Sequence, residues 1–300
     1  MIKKYPRDMV GYGQKTPKVK WPNNAKLALQ IVLNYEEGSE NCVLHGDKTS
    51  EVFLSEIIGA QPVKGRHINM ESLYEYGSRR GFWRIHKLFQ EKKIPITIFG
   101  VGMALEKNLE ICQAIKESDY EVASHGWRWI DYQKVSRSTE KKHMRLAIKS
   151  IEKIFGKRPL GWYTGRCSPN TRDLVMEEGG FLYDSDSYSD DLPYWEVRGK
   201  KKQLIIPYTL DNNDMRFATN QGFNSGEQFF TYLKDSFDAL YNEDSPPKMM
   251  SLGLHCRIIG RPGRIQSLKK FLDYVLKHRD VWICKRIDIA KHWIKNYSIK

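Results

Sequence analysis

LALQIVLNYEEG, residues 27–38, is the stretch whose reading decides the architecture. Residues 27–33 are apolar apart from Gln30, and Asn34-Tyr35-Glu36-Glu37-Gly38 follow at once. A short apolar run without alternation is the pattern of a strand buried on both faces, as in a parallel sheet. Such a strand, ending in two carboxylates and a glycine, delivers ionisable groups to the edge where α/β folds keep their chemistry. Moving outward, similar runs recur: ITIFGV (96–101), EVAS (121–124), LGWYT (160–164), FLYD (181–184), LIIP (204–207), MSLGL (250–254) and VWIC (281–284). Helical-period segments lie between them, at 72–92, 105–118, 138–155, 170–178, 225–241, 264–278 and 288–297. Alternation of this kind predicts an α/β fold with a parallel sheet closed into a barrel.

The 300 residues show no internal repeat and no low-complexity linker, so one catalytic domain over 1–300 is expected. Segment 39–71 departs from the pattern. It is too long for an ordinary strand-to-helix connection and is expected to be an inserted lid or an interface arm.

An apolar fraction of 40% with 12% aromatic residues supplies a large core and excludes whole-chain disorder. Net charge is +13, but the basic residues are scattered and the densest run is Lys200-Lys201-Lys202. No helix carries a continuous basic face, so no nucleic-acid partner is expected. The five cysteines include no CxxC pair, which argues against a disulfide framework or a cysteine-rich zinc site. No apolar stretch is long enough to span a bilayer, and the opening residues lack the apolar region of a secretory signal; a cytoplasmic protein without a membrane partner is expected.

Reading the C-terminal end of each candidate strand gives a consistent set of groups. They are Glu36 and Glu37, then His125-Gly126-Trp127-Arg128-Trp129, then Gly165-Arg166-Cys167, then Asp184 and Asp186, then Asp211 to Arg216 including Asn213, then His255. These groups suit hydrolysis of a C–N bond. A carboxylate takes a proton from water, an imidazole protonates the departing nitrogen, and a cation or backbone N–H groups hold the oxyanion. Glu36 or Glu37 is the candidate base, since two nearby carboxylates push one pKa upward. The competing reading is that one of them pairs structurally with an arginine. His255 is the candidate acid. His125 reads as a metal ligand, a substrate-binding group or a satisfied rim histidine, and Arg166 as an oxyanion donor or a structural ion-pair partner.

In this order the residues resemble the NodB-type polysaccharide deacetylases, which implies a distorted (β/α) barrel. That family's Thr-Phe-Asp-Asp motif, a base followed by a metal ligand, has Asn34-Tyr35-Glu36-Glu37 in its place. Its His-Ser/Thr-x-x-His motif, supplying two metal ligands, reads His125-Gly126-Trp127-Arg128-Trp129, so Trp129 replaces the second histidine. Arg166 matches the arginine of the third motif, and His255 after Leu254 matches the Leu-x-His motif. A fuller resemblance, to the PuuE-type allantoinases as a metal-independent branch, rests on longer segments. They include LNYEEGSENCVLHGD (33–47), HINMESLYEYGSRRGFWR (67–84), RPLGWYTGRCSPNTR (158–172), EEGGFLYDSDSYSDDLPYW (177–195), PYTLDNNDMRFA (207–218) and PKMMSLGLHCRIIGRPGR (247–264).

The resemblance implies opening of the allantoin hydantoin ring to allantoate by a cytoplasmic homotetramer in purine catabolism. On this reading Glu36, Glu37, His125, Arg166 and His255 are catalytic, and Trp129, Asp186 and Asn213 contact substrate. No cofactor is expected, because an indole does not ligate zinc and a catalytic zinc wants three protein ligands. A residual metal at Glu37 and His125 stays open. The alternatives are a metal-dependent deacetylase of an N-acetylated polysaccharide or peptidoglycan, with Asp186 or His67 as the missing ligand, and a hydrolase of a related cyclic imide.

Overall fold

A computed structural model describes residues 5–118, 120–243 and 246–299. Its centre is β1 (Leu27–Tyr35), all nine residues of which are buried. Along one edge β1 pairs in parallel with β8 (Lys248–His255) over nearly its whole length. Its other edge is shared. β9 (Val281–Cys284) pairs with Leu27–Gln30, and β2 (Thr97–Gly100) takes over from Val32 to Tyr35. From β2 the parallel sheet runs through β3 (Glu121–Ser124), β4 (Gly161–Trp162), β5 (Tyr183–Asp184) and β7 (Lys201–Ile205). A bridge between Asn213 and Gly253 of β8 joins the two ends of this curl. The result is a distorted (β/α) barrel of the polysaccharide deacetylase type, stitched closed rather than fully laddered.

All the apolar runs appear as strands, though β4 and β5 keep only two residues each. One strand was not foreseen. β6 (Tyr194–Arg198) lies antiparallel on β7 as an edge hairpin, with Gly199 and Lys200 at its turn. Its YWEVR sequence is partly or fully exposed and carries charges suited to an open edge, so it lacks the apolar signature of the inner strands.

The helix expected over 72–92 is instead three pieces. α1 (Ile68–Tyr76) begins with the His67 ring accepting from Met70 N, a π-helical turn spans Gly77–Gly81, and α2 (Phe82–Lys92) completes it. The two glycines let the backbone approach its neighbours. A Cβ on Gly77 would run into the Glu37 carboxylate, and one on Gly81 into the carbonyl of Cys256. The segment expected over 105–118 also divides, into α3 (Gly102–Lys107) and α4 (Leu109–Glu117), because the Asn108 side chain caps the second piece by accepting from Ile111 N. α5 (Arg137–Phe155) is capped by Ser136 and stops at Gly156 in the left-handed region. α6 (Thr171–Glu178), α7 (Gly226–Asn242), the short α8 (Cys256–Ile259), α9 (Pro262–Val275) and α10 (Arg286–Asn296) complete the outer layer.

Arg286 lies fully buried inside the barrel. It donates to Gln30, Ser185 and Ser251 and to the carbonyls of Ile206 and Pro207, tying β1, β5, β7 and β8 together. Among the described residues no helix is long and apolar enough to cross a membrane.

Candidate active site

The strand register assembles the site. Asn34 lies opposite His255, Tyr35 opposite Gly100, and Gly100 opposite Ser124. Glu36 and His125, the next residues after β1 and β3, therefore leave the sheet at the level of His255, the last residue of β8. No helix propensity or loop contact is needed to bring them together; parallel pairing alone does it.

Glu36 is the hub and is 1% exposed. Its Oε1 faces two imidazoles, His125 Nε2 at 3.3 Å and His255 Nε2 at 3.5 Å. Its Oε2 accepts from Arg257 Nη1 at 2.8 Å. Burial favours the neutral acid. The Arg257 charge, the His255 charge and hydrogen bonds from both histidines outweigh burial and hold Glu36 well below the usual carboxylate range. His255 is held from its far side by Asp214, whose Oδ1 lies 2.6 Å from Nδ1 and whose Oδ2 accepts from His255 N at 2.7 Å. Burial would lower the His255 pKa, yet the Glu36 and Asp214 charges raise it to about 9. The site therefore holds a carboxylate that stays ionised beside an imidazolium that stays protonated at neutral pH.

Glu37 faces elsewhere. Its oxygens accept from Glu36 N at 3.0 Å and Arg257 N at 3.2 Å, and it packs on Gly77. Burial raises its pKa to about 7, with Arg257 opposing the rise and Glu36 adding to it. Arg257 itself is fully buried, its guanidinium 4.2 Å from the Tyr74 ring centre and 5.1 Å from that of Trp129, with Nε donating to Leu54 O at 3.3 Å.

Trp129 is 4% exposed and has two arginines within about 5 Å of its ring centre. Arg257 is one of them. Arg166 lies 5.0 Å from the indole and donates to Glu51 Oε2 at 3.1 Å, while Phe53 stacks on the indole at 5.8 Å. Arg166 opens on a cavity of about 370 Å³ lined also by Glu51, Phe53, Asp131, Gln133 and Cys167. Arg166 is thus engaged with Glu51 and with the Trp129 ring, whereas the guanidinium bonded to Glu36 is that of Arg257. Segment 39–71 covers this region. Arg128 donates to the carbonyls of Ser39 and Glu40 and to Asp47, and Leu54 adopts a left-handed backbone with φ of 54°.

Two expected substrate contacts are occupied within the protein. Both Asp186 oxygens accept from Thr164 N, and Oδ1 also from Gly165 N, which shapes the turn before Arg166. Asn213 donates to Thr209 O and accepts from Met215 N, which caps the 3₁₀ turn that presents Asp214.

Residues 67–177 match the family profile described as polysaccharide deacetylase. A Schizosaccharomyces pombe protein provisionally named a polysaccharide deacetylase is 42% identical over 98% of each chain. The chain belongs to the polysaccharide deacetylase family. A solved structure from Pseudomonas aeruginosa PAO1, provisionally titled with the same activity, is 57% identical. It has a TM-score of 0.97 and covers 99% of this chain and 100% of its own. The solved structure of PuuE allantoinase is 55% identical, with the same TM-score and the same coverage.

In a polysaccharide deacetylase with the full motif set, zinc takes three protein ligands. The residues here do not fit that ion. Trp129 offers no donor, and Glu37 is turned onto Gly77 and the Arg257 backbone. The substitutes do not reach the site either: Asp186 is bound to backbone amides, and His67 caps α1. Among the described residues, no three His, Cys, Asp or Glu side chains are grouped so as to hold a metal. The Arg257 cation, already seated against Glu36, would repel a divalent ion there. Two members of the site escaped the sequence reading. Asp214 stood among the rim residues without being singled out, and its signal was an acid directly after Asn213 in the loop that follows β7. Arg257, two residues beyond His255, had no motif to mark it.

Proposed function

We propose that the chain opens the hydantoin ring of allantoin by hydrolysis, releasing allantoate. The observation that carries this reading is the joint one: near-complete superposition on PuuE allantoinase at 55% identity, with Trp129 and Arg257 standing beside the base. Family membership supports hydrolysis of a C–N bond; the choice of a compact cyclic ureide is supported by the small, closed setting of Glu36.

In this scheme water sits against Glu36, which takes its proton as the oxygen attacks a ring carbonyl. His255, protonated and oriented by Asp214, gives its proton to the ring nitrogen as the C–N bond breaks. The proton on Glu36 then returns to His255 across their 3.5 Å contact. His125 steadies Glu36, and Glu37 buttresses Arg257. Segment 39–71 acts as a lid, since Glu36, His125 and His255 are each almost fully covered while Phe53 and Arg166 close over Trp129. Its outer side exposes Leu44, Ile58, Val63 and Ile68, which supports a second role as the contact arm of a homotetramer. We place the protein in the cytoplasm, in purine catabolism.

Allantoate formation is the test, run on purified protein before and after EDTA dialysis. Turnover that survives chelation is expected. Loss with EDTA and recovery with Zn²⁺ would return the chain to metal-dependent deacetylation, and no allantoate in either arm would sink the allantoin reading.

A further inference from the structure

Hydrolysis of an amide carbonyl needs a donor aimed at the oxygen that becomes negative. Arg166, matched by motif to that role, lies 5.0 Å from the Trp129 ring centre and is paired with Glu51. Arg257 is differently placed. Its Nε is spent on Leu54 O and its Nη1 on Glu36 Oε2, but its Nη2 is buried and has no hydrogen-bond partner among the described residues. A buried guanidinium nitrogen left unpaired costs stability, and such groups are rare unless something else occupies them. The planar fork is immobilised: Tyr74 lies 4.2 Å from it, Trp129 lies 5.1 Å from it, and it is anchored at two of its three nitrogens. A guanidinium keeps its geometry and its charge across the whole working pH range.

We propose that Nη2 of Arg257 holds the oxygen of the attacked carbonyl. The assignment rests on the reading above and deepens it. One guanidinium then serves both reactants, with Nη1 fixing the carboxylate that takes the water proton and Nη2 fixing the carbonyl that the same water attacks. As the water oxygen bonds to the carbonyl carbon, the π pair moves onto the oxygen and is met by Nη2–H. When that pair returns, the C–N bond breaks and its electrons leave with the nitrogen, which takes the proton from His255. Water is consumed, a carboxylic acid and an N–H are formed, and no redox partner is involved.

Arg257→Ala and Arg257→Lys test this, compared with wild type on whichever substrate the wild type hydrolyses, allantoin or an N-acetylated oligosaccharide. Failure on allantoin alone therefore rejects the ring-opening reading while leaving Arg257 open to test; failure on both overturns the two together. Arg257→Ala is expected to lose about 10³-fold in kcat with little change in KM, the scale for an oxyanion donor. Guanidinium chloride at tens of millimolar should recover tenfold or more of that loss, and equal sodium chloride or Zn²⁺ should not. A folded Arg257→Ala within tenfold of wild-type kcat overturns the proposal, as does full activity in Arg257→Lys, whose single donor nitrogen cannot take both positions. Should neither variant fold, wild type is assayed on the substrate carrying sulfur at the attacked carbonyl. A drop in kcat of tenfold or more supports the assignment, and unchanged turnover rejects it.

Discussion

At the residue scale, the central fact is that Glu36 and His255 are each fixed in their charged form by the other. Burial would neutralise both; the Arg257 and Asp214 charges tip the balance. The consequence for pH has a definite sign. His255, raised to about 9 from an ordinary value near 6.5, carries its proton below that point and loses it as pH rises through about 9. The stability it contributes is complete below about 6.5 and disappears across that window. Glu36 is depressed, so its contribution is present above the ordinary carboxylate range and is lost only in strong acid. A kcat/KM profile should therefore be flat through neutrality and fall as pH rises through about 9; a basic limb near 6.5 would show that the Glu36 and Asp214 charges do not raise His255. Asp214→Asn should pull that limb toward neutrality and cut kcat by about 10²-fold or more, the usual scale for acid–base groups, and Glu36→Gln should do both, since the Glu36 charge is the first of the contributions that raise His255. Asp214 and Arg257 were hard to read in the sequence for a physical reason. Their roles come from being buried beside opposite charges, and burial of a charged residue in a loop leaves no periodic trace.

At the scale of elements, the parallel strands were legible because each is covered on both faces and so must be apolar throughout. The hairpin strand at the edge and the break in the first long helix were not, because one is half solvated and the other depends on what the glycines touch. Gly77 and Gly81 lie one helical turn apart and press the π-helical segment against Glu37 and Cys256, the residue before Arg257. Gly81→Ala should therefore destabilise by about 1–3 kcal/mol, as overpacking does, and should lower kcat by displacing Arg257. Gly263→Ala is the matched control. It lies in α9 with open space where its Cβ would go, so the substitution should stabilise by about 0.4–1 kcal/mol. Thermal or urea melts of the two variants check both signs at once.

At the scale of the whole molecule, the barrel is held open and stitched shut by polar groups. Arg286 acts as an internal brace across four strands, and without it Gln30 Oε1, Ser185 Oγ and the Ile206 carbonyl would lose this donor, while Pro207 O would keep only Ser251 Oγ. Arg286→Met is expected to cost at least about 3 kcal/mol in urea denaturation, since each buried acceptor left unmade costs about 1–3 kcal/mol. A midpoint unchanged from wild type would mean the brace is dispensable. The closing stitch between Asn213 and Gly253 has a further consequence. The residue after Asn213 is Asp214, the group that arms His255, and Gly253 precedes His255 by two positions in β8. The loop that seals the cylinder therefore also carries the carboxylate that seats His255. On the proposed mechanism, a chain that has collapsed without making this bridge has every reacting side chain but an unseated proton donor, and is silent rather than promiscuous.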